Sequence, residues 1–274
     1  MIGRRAFVGA VIASVPLPFS DAFAQAQTFD SEFEKLKNDE FLLANTQAFG
    51  LIRDELTESR GTVRIRQRSD RKISQRASDL IIVFEVTSKE TYTRKYQGVI
   101  RPGGESGITC GIGYDVGYVT EEYLREDWVG FISDTDIKAL SIACGVTGNA
   151  AQALRRRLSQ IQIPYDVAVN QFFDRVLPFY VAATLFALPR ASELSDDSLG
   201  ALVSLVYNRG ASFKKPGPRH AEMRQIRQLV KDRNFAQVPD QISNMARLWT
   251  TPDVIGVARR RRLEALLFSE GLGS

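Results

Sequence analysis

Apolar residues recur at helical spacing through most of the chain beyond residue 73, and that spacing breaks down in one glycine-rich stretch. Ile73, Ala77, Leu80, Ile81 and Phe84 fall at i, i+4, i+7, i+8 and i+11, one face of a helix, with Ser74 as its N-cap. Glu85 follows Ile81 by one turn, so its carboxylate borders the apolar face near the helix end. From 92 to 118 the pattern is irregular, and Pro102-Gly103-Gly104 and Ser106-Gly107 are turn signals, which predicts a small β element. Beyond it the chain reads as helix after helix. Thr120 caps 121–131, Ser133 caps 134–143, and Thr147 or Asn149 opens 150–161. A long helix over 164–188 is interrupted near Pro178, and Ser195 caps 196–208, which Gly210 ends. Three more helices are expected over 219–231, 235–248 and 254–270. With no internal repeat, the expectation is an α+β fold, predominantly α, with one small sheet near its start.

The first 72 residues follow different rules. Arg4-Arg5 precede a run from Ala6 to Phe19 that carries no charge, and Ala22-Phe23-Ala24 supplies small residues for a cut before Gln25. Pro16 and Pro18 interrupt the run, which is also too short to cross a bilayer as a helix. Residues 1–24 therefore read as a signal peptide, general secretory or twin-arginine. The expectation is an exported protein, periplasmic or secreted, with no stable membrane insertion once the signal is removed. Residues 25–72 read as an N-terminal extension without an assigned role: partial helical periodicity over 29–56, then weak alternation over 61–69. The main domain is 73–274.

Composition narrows the chemistry. The 274 residues hold two cysteines and one histidine, and no Cys/His spacing suits a metal. Export makes Cys110 and Cys144 candidates for a disulfide, and two small buried thiols are the alternative. A single His220, beside a helix start, and no Gly-x-Ser-x-Gly elbow argue against a Ser-His-Asp hydrolase; His220 reads as a surface or helix-end residue. The net charge is +4, concentrated in Arg60 to Arg76, Arg155 to Arg157 and Arg259 to Arg262. No nucleic-acid-binding motif accompanies those clusters; solvated helix faces, or adhesion to anionic wall material after export, account for them.

The glycine-rich stretch carries the candidate chemistry. Ser106-Gly107-Ile108-Thr109-Cys110-Gly111-Ile112-Gly113-Tyr114-Asp115-Val116-Gly117 places Thr109 and Asp115 six residues apart, where glycines permit close backbone approach to a ligand. A carboxylic acid on a helix end facing a carboxylate on a strand turn is the minimum apparatus for cleaving a glycosidic bond. The same residues also make an ordinary hairpin.

The order of these parts resembles the phage-type lysozymes of glycoside hydrolase family 24, above all the pesticin-like branch. The stretch from Ser106 to Gly117 is similar to that branch's Ser-Gly-Val-Thr-Ile-x-x-Gly-Phe/Tyr-Asp-Leu-Gly pattern. The helix carrying Tyr207-Asn208-Arg209-Gly210 resembles the one ending in Asn-x-Gly, and Gly256, Arg260-Arg261 and Glu264 resemble the closing Gly-Leu-x-x-Arg-Arg-x-x-Glu helix. The resemblance covers about 73 to 270 and implies a lysozyme-like fold. It implies a peptidoglycan hydrolase cleaving the β-1,4 bond between N-acetylmuramic acid and N-acetylglucosamine, with glycan strands as its partner and no metal or organic cofactor. Glu85 would be the general acid; Asp115 would be the second carboxylate and Thr109 would orient water. Gly113, Tyr114, Tyr207 and Arg209 would line the sugar site. Glu90 and Glu105 compete with Glu85. Asn208 is read as a helix cap, and Trp128 and Trp249 as core. A non-catalytic envelope-binding protein on the same scaffold is the alternative, and a DNA-binding module using Arg60 to Arg76 a weaker one.

Overall fold

A 14-residue helix, Asp196–Arg209, runs through the centre of the molecule, and nearly every side chain from Ser198 to Tyr207 is buried. A helix buried on all sides has to be apolar all round, and Leu199-Gly200-Ala201-Leu202-Val203 and Leu205-Val206 meet that need. The computed structural model describes residues 27–39, 43, 67–252 and 254–273. In chain order its helices are α1 (Phe29–Lys37), α2 (Gln75–Val86), α3 (Lys89–Lys95), α4 (Glu121–Trp128), α5 (Asp134–Ser141) and α6 (Gly148–Arg157). They continue as α7 (Tyr165–Gln171), α8 (Leu177–Ala187), the central α9 (Asp196–Arg209), α10 (Ala221–Lys231), α11 (Val238–Asn244) and α12 (Ile255–Gly271). Two strands, β1 (Thr109–Cys110) and β2 (Tyr114–Asp115), pair antiparallel with Thr109 opposite Asp115 and Cys110 opposite Tyr114. Ile100 pairs with the other edge of Thr109. The fold is thus predominantly helical with a small sheet. Helices α12, α2 and α8 pack around α9.

Most helix starts follow local chemistry. The hydroxyls of Ser74, Ser88, Thr120, Ser133 and Ser195 each accept a backbone N–H from three residues on, satisfying one of the donors a helix leaves orphaned. Thr147 makes no such bond. The expected long helix over 164–188 is broken as Pro178 dictates. Proline lacks an N–H and its ring excludes the carbonyl four residues back, and the chain widens into a π turn, Phe172–Val176, before α8 begins. Helix α3 departs from expectation, since 92–95 lie in a helix capped by Ser88 rather than in irregular chain. Residues 235–248 are α11 flanked by two 3-10 turns rather than one helix.

The segment before 73 is joined to this body. Phe29, Phe33 and Leu36 of α1 are buried, and α1 lies on α12. The Phe29 N–H donates to Glu270 Oε1 at 2.6 Å. Arg76 bridges Asp30, Asp197 and Glu270, and Arg259 pairs with the buried Glu32. Farther on, Arg68 binds Asp127 at 2.9 Å and Arg71 binds Asp196 at 2.5 Å. Three arginines of the predicted basic stretch, Arg68, Arg71 and Arg76, are therefore engaged by carboxylates. Arg60, Arg64 and Arg66 lie outside the described residues, as do the signal peptide at 1–24 and most of 40–66.

Both cysteines are free thiols. Cys110 is in the core, and burial pushes its thiol far above the ordinary range. Cys144 is half-buried, and burial, then the Glu121 charge, pushes it up to about 11. His220 is not a surface residue: it is buried, closing a 3-10 turn at the start of α10. Trp128 and Trp249 are core, as their helical neighbours predict. Among the described residues no helix is long and apolar enough to cross a membrane. Nor do they contain a group of three or more His, Cys, Asp or Glu able to hold a metal ion.

Candidate active site

Glu85 is the penultimate residue of α2, and the chain turns sharply just beyond it. Thr87 sits at φ 69° and ψ −70°, and the Ser88 N–H donates to the Val86 carbonyl across it at 2.9 Å. This is a γ-turn centred on a β-branched residue, a strained conformation that persists only where the surroundings impose it. It stops the helix one residue after Glu85. The side chain is left 12% exposed, on the border predicted from the apolar spacing.

Two elements from the far end of the chain meet the carboxylate. Arg260 of α12 donates from Nη1 to Glu85 Oε1 at 3.1 Å. Arg260 is itself buried and held from behind. Its Nε and Nη2 reach Ser204 Oγ at 3.2 and 3.0 Å, Nη2 reaches the Ser204 carbonyl at 3.1 Å, and Nε reaches Glu264 Oε1 at 3.1 Å. The guanidinium also lies over the Phe84 ring. Glu264, fully buried, accepts from Ser204 and Arg261 as well, and Arg261 reaches Asn208 Oδ1 at 3.0 Å. One side of Arg260 is thereby anchored in the bundle and Nη1 faces Glu85. The sequence offers Glu264 or an acid across the bundle as partners of Arg260, and Arg260 holds both; it assigns no part to Ser204. A lone polar residue inside the otherwise apolar 199–206 run was the signal for it.

The other carboxylate oxygen faces the sheet. A Cβ on Gly113 would lie 2.9 Å from Glu85 Oε2 and 3.4 Å from the Tyr207 hydroxyl, and Gly113 has φ 69°. Glycine is required here twice over, by the left-handed backbone and by the close approach. Tyr207 fixes this turn to the bundle, since its hydroxyl donates to the Ile112 carbonyl at 2.6 Å while its ring packs against Tyr180. Gly113 and Tyr207 are therefore brought to Glu85.

Thr109 and Asp115 are directly opposite in the ladder, so their side chains share a face of the sheet. Both are about 3% exposed. Asp115 serves its own loop: Oδ1 accepts from the Gly117 N–H at 3.0 Å and Oδ2 from the Gly107 N–H at 3.2 Å. It caps the 3-10 turn Val116–Tyr118. Gly107 has to be glycine, because a Cβ there would lie 2.5 Å from Asp115 Oδ1 and from the Gly117 Cα. Gly107 and Gly117 are thus accounted for by the packing of two backbone segments around one carboxylate, whereas Gly111 is fitted to Trp128 and Gly113 to Glu85.

Two predicted sugar contacts point elsewhere. The Tyr114 hydroxyl donates to the buried Asp127 at 2.7 Å and its ring packs edge-on to Trp128, so its side chain is part of the core. Arg209 is 1% exposed; it lies over the Trp249 ring and donates to the Arg219 carbonyl at 2.9 Å. An arginine directed into the bundle does not line a cleft. The competing acids sit apart from this cluster. Glu90 is exposed on the first turn of α3, where bonds from its own backbone N–H and from Ser88 hold its carboxyl below the usual range. Glu105 is exposed in the loop before β1, its carboxylate against Gly148 at the start of α6. Only Glu85 of the three joins the end of α2, the sheet turn and the Arg260 network. No protein-family model and no curated protein matches this chain.

Proposed function

We propose that the protein is a muramidase, cleaving the β-1,4 bond between N-acetylmuramic acid and N-acetylglucosamine in peptidoglycan on a lysozyme-like fold. The observation that carries the reading is the position of Glu85. It is a partly open carboxyl held by Arg260 on one oxygen and facing the Gly113 turn with the other. Arg260 occupies Oε1, so the transferable proton would sit on Oε2, the oxygen toward the sheet. A glycan strand lying against the turn would present its bridging oxygen there. Glu85 would protonate that oxygen as the bond to the anomeric carbon breaks. Asp115 and Thr109, sharing one face of the hairpin, would face the developing positive charge and the incoming water. Export through the N-terminal signal would bring the enzyme to its polymer.

A zymogram on purified peptidoglycan tests the reading with wild type and Glu85→Gln, which keeps the side chain's volume and its contact with Arg260. Lysis by the wild type and loss of at least a hundredfold in the variant are expected. Full lysis by the variant removes Glu85 from the mechanism, and no lysis by the wild type removes the activity. The occupation of both Asp115 oxygens by backbone N–H groups favours a second reading, a wall-binding protein without turnover. That reading predicts retention on peptidoglycan with no lysis, unchanged in Glu85→Gln.

A further inference from the structure

Away from Glu85, an open cleft of about 680 Å³ separates the end of α3 from α6. Its floor is the extended backbone of residues 98–100, which pairs with Thr109 through Ile100 and with Gln162 through Gly98. The cleft is therefore built on the segment bridged to β1. One wall is α6, where Asn149, Gln152, Ala153 and Arg156 fall at i, i+3, i+4 and i+7, a single helix face. A helix face turned toward a neighbouring segment is normally apolar and fills the gap. Here three of the four positions are polar and the fourth is alanine, so the gap stays open. Lys95 stands on the opposite wall, with Arg155 beside Arg156.

Three cations, Lys95, Arg155 and Arg156, border the one space, and no acidic side chain lines it. Arg155 and Arg156 lie in the last turn of α6 and Lys95 in the last turn of α3, places that suit the helix dipoles. Helix dipoles do not account for the carboxamides of Asn149, Gln152 and Gln162 around the same space. Carboxamides pair with peptide groups through both a donor and an acceptor, and cations take carboxylates. A single-stranded nucleic acid calls for aromatic platforms, and no aromatic side chain lines the cleft.

We propose that this cleft binds the peptide stem of the wall polymer, an extended, amide-rich chain with free carboxylates. The inference rests on the peptidoglycan reading above. Every muramic acid carries such a peptide, and a strand lying on the hairpin would bring one beside the Ile100–Thr109 pair. The carboxamides would engage its backbone, and Lys95, Arg155 and Arg156 its carboxylates.

The test is a calorimetric titration of the full chain carrying Glu85→Gln, which cannot turn over on the reading above. The ligands are a stem tetrapeptide with free carboxylates, the same peptide fully amidated, and a peptide-free N-acetylglucosamine oligomer. The free peptide should bind at least tenfold more tightly than the amidated one. Adding Arg155→Glu and Arg156→Glu, both at exposed positions and checked for retained fold by circular dichroism, should weaken the free peptide at least tenfold and leave the oligomer unaffected. Equal affinities in the two backgrounds, no saturable peptide binding, or tighter binding of a single-stranded oligonucleotide would each overturn it. Peptide binding without lysis by the wild type would sink the muramidase reading and leave the cleft standing. Lysis without peptide binding would do the reverse.

Discussion

Glu264→Gln is the most informative single change in the bundle. Glu264 is fully buried and is the shared counter-ion of two buried arginines. Arg260 donates to Oε1 at 3.1 Å, and Arg261 approaches both oxygens at 3.1 Å. Glutamine keeps the volume and removes the charge. Arg261 would then face the neutral Asn208 oxygen and the Trp249 ring with no counter-ion at position 264, and Arg260 would share the partly exposed Glu85 with solvent. Removing one partner of a buried ion pair typically costs about 3–5 kcal/mol, because the other charge stays buried and uncompensated. Against a total stability of about 5–15 kcal/mol this is a large share. For a body of this size it lowers Tm by roughly 6–20 °C. Urea unfolding followed by tryptophan fluorescence, with Trp249 beside both Arg209 and Arg261, reads the change as a shift in midpoint at unchanged slope. Adding Arg261→Met removes one orphaned cation and should recover at least ~1 kcal/mol. A loss below ~1 kcal/mol in the single variant, or no recovery in the double, refutes the view that this network is held by its charge.

Other consequences can be checked separately. Gly113→Ala forces a side chain into a left-handed backbone, at about 1 kcal/mol, and places its Cβ 2.9 Å from Glu85 Oε2. Lysis on the muramidase reading should fall at least tenfold for that modest loss of stability, and a fall in stability alone would argue against the contact. With its thiol pushed up to about 11 from an ordinary 9.0, Cys144 should react with a disulfide reagent at pH 8 roughly a hundredfold more slowly than an ordinary thiol. Cys110 should react only on unfolding. Glu32 is held below its ordinary 4.5 chiefly by the bond from Lys35, with Arg259 adding to it. A depressed folded pKa means the unfolded chain takes up the proton first, so the contribution is complete above about pH 4.5 and is lost as pH falls through the folded value. The stability difference between wild type and Glu32→Gln should be constant near neutrality and shrink on acidification; a constant difference down to pH 2 would contradict this.

How much of the fold was legible follows from where the governing interactions lie. Ser74, Thr120, Ser133 and Ser195 announced their helices because capping is settled within three residues. Pro178 announced a break for the same reason, although the π turn that absorbs it depends on the surrounding packing. Helix α3 was missed because its seven residues carry one buried anchor, Tyr92, which donates to the Ile163 carbonyl 71 residues away. Burial of Arg209 was likewise settled by distant partners, Met245 and Trp249, rather than by local pattern. The packing of α1 on α12 rests on Phe29, Phe33 and Leu36, on the Phe29 N–H bond to Glu270 and on the Arg259–Glu32 pair, both spanning more than 220 residues, which no local window contains.

The candidate site divides along the same line, and the division changes what its motif means. Spacing put Thr109 and Asp115 six residues apart in a stretch that could fold as a hairpin, and the ladder sets them opposite each other on one face. Spacing could not say what Asp115 is bonded to, and its carboxylate is the staple that closes the Gly107–Gly117 contact. A glycine-rich pattern around an acid is therefore what such a staple requires, whether or not chemistry follows. The distinguishing feature lies outside the motif. Glu85 is brought to Gly113 by α2, stopped by the strained Thr87 turn and held by an arginine 175 residues away, whose own anchors are Ser204 and Glu264. A loop that only needed closing would not require a partly open carboxylate with a buried, four-point-anchored cation behind it. If the site is catalytic, substitutions at Ser204 or Glu264 should impair turnover by moving Arg260. If it is only a staple, they should change stability and nothing else.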